Sequence, residues 1–87
     1  MNLPLLTDHV ITLSRSVAAF IRTESARFTE ASVESKSLNN LVSYVDKGAE
    51  QRFVEGLAVL VPEAGFIAEE GTGARAPDLN WVIDPLD

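Results

Sequence analysis

The sequence predicts a layered α/β fold (α+β in its layering): two long helices followed by two core strands. Three observations carry that prediction. Leu6, Val10, Leu13, Val17, Phe20 and Ile21 recur at three- and four-residue steps, which lays one apolar stripe along a helix. Val45, Ala49, Phe53, Leu57 and Leu60 repeat the same spacing. Two short apolar runs, Phe66-Ile67-Ala68 and Trp81-Val82-Ile83, follow with turn residues around them.

The first stripe predicts a helix over about Leu3–Phe28, with Pro4 near the start, where the missing N–H costs little. Arg15, Arg22 and Glu24 fall largely off the stripe. His9 has no second imidazole near it in the sequence and is read as a surface or boundary residue. Residues 31–42 are mixed. Val33 and Leu41-Val42 suit a strand and Asn39-Asn40 suits a turn, so a short hairpin is expected there. Ser43-Tyr44-Val45-Asp46 matches a serine-x-x-acid cap, and the second helix is predicted over Ser43–Val61. Pro62 disfavours helix at Val61 and stops it.

Gly65 opens the first strand, Phe66–Ala68. Residues 70–78, with two glycines and a proline, read as a loop. Trp81–Ile83 is the second strand, stopped by Pro85. Both runs are continuously apolar, which suits burial between layers of helix. Trp81 is expected in the core.

Composition bounds the function. The 87 residues make at most one small domain, and 46% hydrophobic with 23% charged residues is a globular composition. Cysteine is absent, which excludes disulfides and thiolate metal sites. No apolar run reaches the roughly 20 residues of a membrane span, and the N-terminus lacks signal-peptide character. A cytoplasmic location without membrane contact is the resulting expectation. The net charge is −6. Most of it falls in residues 63–87, where Glu63, Glu69, Glu70, Asp78, Asp84 and Asp87 face only Arg75. That balance argues against a nucleic-acid partner, which needs clustered Lys and Arg.

The acids also sit in a telling place. Glu69-Glu70 closes one apolar run. Asp84-Pro85-Leu86-Asp87 closes the other. Two strand ends can bring such carboxylates around one point. Gathered without bases they repel, and a cation relieves them. Carboxylate and carbonyl oxygens are hard ligands, suited to Mg²⁺, Mn²⁺ or Ca²⁺ rather than Zn²⁺. The alternative is acids that merely solubilise a loop.

Three blocks in register, Leu41-Val42-Ser43-Tyr44-Val45-Asp46 with Glu50, Phe66-Ile67-Ala68-Glu69-Glu70, and Trp81-Val82-Ile83-Asp84-Pro85-Leu86-Asp87, resemble the inositol monophosphatase family. The resemblance implies the N-terminal part of an αβαβα sugar-phosphatase fold, with residues 1–87 as an N-terminal fragment of a single domain. It implies a Mg²⁺-dependent, lithium-sensitive phosphomonoesterase acting on a small phosphorylated substrate, an inositol or sugar phosphate. It also implies roles. Glu69 binds the first metal and orients the attacking water. Asp84 bridges two metals. Leu86 offers its backbone carbonyl to the first metal, and Asp87 binds the second. Glu69, Leu86 and Asp87 thereby also border the substrate. Asp46 stands near the nucleophile, although helix capping alone would explain it. Lys36 is either an active-site cation or a surface charge, and Glu70 either supports the site or belongs to the loop. The family's motif continues with Gly-Thr and a later metal-binding aspartate, so these 87 residues alone are expected not to turn over substrate. Nucleotide bisphosphate or fructose bisphosphate phosphatases of the same superfamily are alternatives, as is a non-catalytic interaction module. Apolar surface left uncovered would favour a homodimer.

Overall fold

The computed structural model describes residues 2–30 and 35–84, with side chains from 2 to 27, at 40 and from 42 to 84. The order is α1 (Leu3–Glu30), α2 (Ser35–Leu60), β1 (Gly65–Ala68) and β2 (Asn80–Ile83). This is the α+β arrangement expected, with both strands within one residue of their predicted positions.

Helix α1 begins on a side-chain cap. Asn2 Oδ1 accepts the Leu5 N–H at 3.0 Å, which satisfies one of the donors a helix start leaves free. The predicted stripe is the inner face: Val17 is buried, and Val10, Leu13, Phe20 and Ile21 are half-buried. His9 is exposed, as expected.

The two helices are packed together through glycines. A Cβ at Gly48 would lie 2.6 Å from the Phe20 ring, and one at Gly56 would lie 2.6 Å from a Leu13 methyl. Phe20 and Leu13 are two helical turns apart, and so are Gly48 and Gly56. Side chains of α1 therefore fill gaps on α2 in antiparallel order. Arg52 covers the Phe20 ring at 3.6 Å from its centroid.

Helix α2 corrects one expectation. Residues from Ser35 onward are helical, so the predicted hairpin over 31–42 is not formed there; residues 31–34 lie outside the described residues. The helix thus begins well before Ser43, and Ser43 and Asp46 are interior residues rather than a cap. Its end agrees with prediction. Leu60 is the last helical residue, and a turn through Pro62 follows, closed by the Ala64 N–H on the Val61 carbonyl at 3.1 Å.

Strands β1 and β2 are parallel, with Gly65 opposite Asn80 and Ala68 opposite Ile83. The connection between them is pinned at both strand starts. Phe66 N–H donates to Ala74 O at 2.9 Å, and Gly65 N–H to Leu79 O at 2.8 Å. The Asn80 side chain both accepts from and donates to the backbone of Ala76.

Phe66 and Ile83 pack with Leu57 as the core, and Val10, Leu13, Phe53, Ala68 and Trp81 pack against it. Alternation along a strand then sends Val82 the other way, and it is 76% exposed. The expectation of burial on both faces therefore holds for one face only in this chain.

Candidate metal centre

The position of the site follows from chain direction. Helix α2 turns back through residues 61–64 into β1, so β1 runs antiparallel to α2. The C-terminal end of β1 thus meets the middle of the helix. One stripe of α2 contains Asp46, Glu50, Phe53 and Leu57, at four- and three-residue steps. Phe53 and Leu57 belong to the core. Asp46 and Glu50 lie further back, where the strands end. Crevices outside the carboxyl ends of parallel strands are the usual place for ligands in such sheets.

Glu69 and Asp84 occupy equivalent places. Ala68 and Ile83 are paired in register, and Glu69 and Asp84 are the next residue on each strand. Their carboxyl groups come within hydrogen-bonding reach. The charge of Asp84, foremost, and that hydrogen bond push the Glu69 pKa up, with smaller pushes from desolvation, Glu70 and Asp46. Among the described residues, the charges acting on Glu69 are the carboxylates of Asp84, Glu70 and Asp46. Like charges so placed disfavour ionisation, and a divalent cation would relieve them. The donor chemistry of the pair fits a hard cation.

Asp46 is half-buried on α2, near enough for its charge to act on Glu69. Its Oδ1 is buried with no hydrogen-bond partner. A buried acceptor without a donor is costly, and it marks a place where a donor or cation would be welcome. Trp81 packs against the core as expected, and its indole N–H is, among the described residues, the other buried side-chain polar atom without a partner.

Among the described residues no group of three or more His, Cys, Asp or Glu is arranged to hold a metal ion. Of the expected ligands, Glu69 and Asp84 are brought together, while Leu86 and Asp87 lie outside the described residues. Lys36 falls in the first turn of α2, and its side chain is likewise outside them. The Glu70 carboxylate is exposed, and its backbone N–H points to Glu50.

Glu50 belongs to the first of the three sequence blocks, but sequence reasoning gave it no role. It is fully buried. Its Oε1 accepts the Glu70 N–H at 2.9 Å, and its Oε2 accepts the Thr72 N–H at 3.2 Å and the Thr72 hydroxyl at 2.6 Å. Burial alone, the largest influence, would raise its pKa. The bonds from the Thr72 hydroxyl and the Glu70 and Thr72 amides together prevail, and the pKa is lowered. A signal was present: a charge within the apolar stripe, three residues before Phe53 and seven before Leu57.

The sequence model of the inositol monophosphatase family matches residues 3–87. The chain is 38% identical over 81 residues to a Pseudomonas aeruginosa protein named Nus factor SuhB, an overlap of 85% of this chain and 29% of that protein. It is 32% identical over 77 residues to the inositol-1-monophosphatase of Bacillus subtilis, covering 78% and 29%. Over 56 residues it is 38% identical to the fructose-1,6-bisphosphatase/inositol-1-monophosphatase of Aquifex aeolicus, covering 63% and 21%. The chain thus spans less than a third of the length of these relatives. No solved structure gives a significant match. The paired strand-end carboxylates and a family match over nearly every residue lead to one conclusion: the chain belongs to the inositol monophosphatase family.

Proposed function

We infer that these residues form the metal-holding side of a Mg²⁺-dependent phosphomonoesterase whose substrate is an inositol or sugar phosphate. The observation that carries the reading is the approach of Glu69 to Asp84 at neighbouring parallel strand ends, with the carboxylates of Asp84, Glu70 and Asp46 acting on Glu69 among the described residues. Glu69 and Asp84 would hold the cation, joined by the Leu86 carbonyl and Asp87. Bound there, Mg²⁺ supplies charge neutralisation at the phosphoryl group and a more acidic water.

The chain's own residues do the rest. Glu69, exposed at the end of β1, accepts a hydrogen bond from the attacking water and orients it. Asp46 offers its buried, unpartnered oxygen to a donor beside that water. Phosphoryl transfer depends on placing nucleophile and phosphate together, and the rigid register of β1 and β2 serves that placement. Because the 87 residues span 29% of the Pseudomonas and Bacillus relatives, turnover is proposed for the complete phosphatase unit and not for this stretch by itself. Lithium sensitivity and a cytoplasmic location belong to the same proposal. No described helix is long and apolar enough to cross a membrane.

The name of the Aquifex relative supports fructose bisphosphate as an alternative substrate. The Nus factor name of the Pseudomonas relative supports a second reading, an interaction module. One experiment separates them. Phosphate release from inositol monophosphate and from fructose bisphosphate is measured with Mg²⁺ for the full chain extended to the relatives' length. Turnover abolished by Asp84→Asn and by Glu69→Gln is expected. Absence of turnover on both substrates, with Mg²⁺ saturating, would overturn the enzyme reading in favour of the interaction module.

A further inference from the structure

Glu50 is the charged side chain most fully removed from solvent among the described residues. Around it on α2, Val45, Ala49 and Phe53 are apolar, and the nearest charge on the same face, Asp46, is itself a carboxylate. Burying a carboxylate is expensive unless donors compensate it. Here all three donors come from one short stretch, Glu70 to Thr72. None comes from α2 itself or from a basic residue.

That stretch is the turn that carries Glu69. Gly71 N–H donates to Ala68 O at 3.0 Å and closes the turn across Glu69-Glu70. Gly71 has a positive φ of 77°, a conformation that side-chain-bearing residues rarely adopt. Glu50 grips the residues on the far side of Glu69, and the β1 ladder holds those before it. The backbone at Glu69 is thus fixed from both directions. Asp46 lies one helical turn from Glu50 on the same face. A single helix therefore sets where Asp46 stands relative to Glu69.

We propose that Glu50 is a positioning residue, which locks the Glu69 turn onto α2 and so sets the affinity of the Glu69–Asp84 pair for a divalent cation. This rests on the metal reading given above. Glu50 touches neither cation nor substrate. It acts through the backbone of Glu70 and Thr72. Outer partners that orient metal ligands typically account for about 10–100-fold in affinity.

The test is Mn²⁺ binding by the full chain, measured by titration well below the melting temperature, with melting temperature recorded for each variant. Glu50→Gln keeps the shape but turns an amide N–H₂ toward at least one N–H donor. Thr72→Val removes the hydroxyl bond alone, and it serves if Glu50→Gln does not fold. Thr72→Ser retains the hydroxyl. Glu69→Gln reports on the metal reading itself. The expected result is loss of Mn²⁺ binding in Glu69→Gln and affinity weakened about 10–100-fold in folded Glu50→Gln. A smaller loss is expected in Thr72→Val, restored in Thr72→Ser. Wild-type affinity in folded Glu50→Gln and Thr72→Val, with Glu69→Gln still deficient, would overturn the positioning role and leave the metal reading intact. No Mn²⁺ binding by wild type, or binding indifferent to Glu69→Gln, would overturn both.

Discussion

The carboxyl groups of Glu69 and Asp84 lie within hydrogen-bonding reach of each other, each one residue beyond the end of a parallel strand. The register of the sheet brings the two residues side by side, because Ala68 and Ile83 are already partners. The arrangement costs stability when both groups are ionised, and the proposed cation would relieve that cost.

The first prediction concerns pH. The charge of Asp84, foremost, raises the Glu69 pKa from its ordinary value in the folded protein. Between the ordinary value and the raised one, the unfolded chain has released its proton and the folded chain has not. This group therefore lowers metal-free stability as pH rises through that window, and the loss persists above it. Asp84→Asn should bring the Glu69 midpoint back toward the ordinary range by side-chain carbon NMR. It should also raise the metal-free melting temperature at neutral pH while abolishing cation binding. An unchanged Glu69 midpoint in Asp84→Asn would show that Asp84 is not the cause.

Glu50 carries the opposite sign. Its folded pKa is lowered, so its contribution is fully present above the ordinary glutamate value and is lost as pH falls through the folded value. Glu50→Ala would leave three donors without their acceptor. We expect a loss of about 1–3 kcal/mol at neutral pH, shrinking on acidification. Chemical denaturation at neutral and acidic pH checks this; an equal loss at both would show that the charge is not what the turn requires.

The helix pair yields a packing prediction. Alanine at an ordinary helical glycine gains up to about 1 kcal/mol. At Gly56 the new Cβ would meet both methyls of Leu13, and overpacking typically costs about 1–3 kcal/mol. Gly56→Ala should therefore be neutral to destabilising. It should become less harmful when Leu13 is also shortened to Ala, because the same space is contested. Additive effects in that double-mutant cycle would contradict the contact.

Much of this was legible beforehand because it depended on periodicity. The α1 stripe, the Pro62 stop and the two apolar runs each recur or end at defined steps, and the structure follows them closely. The start of α2 was misread because Asn39-Asn40 and the β-branched pair at 33 and 42 favour other local states. Yet Leu38 and Leu41 continue the spacing of Val45 and Ala49. A longer helical stripe outweighed those local preferences. The serine-x-x-acid pattern at Ser43 was coincidental, since that pattern also occurs inside helices. At the site, the strand-end acids were visible as residue types, while their pairing needed the register. Glu50 could not be seen as a strut until the loop after β1 folded back onto α2.

The most direct test is Mn²⁺ titration monitored by paramagnetic broadening of backbone amides. If the strand-end pair is the cation site, the amides of Glu69 and Asp84 broaden first in the wild-type chain, and the broadening disappears in Asp84→Asn while that variant stays folded. Broadening that begins elsewhere, or that persists at Glu69 in folded Asp84→Asn, would contradict the assignment.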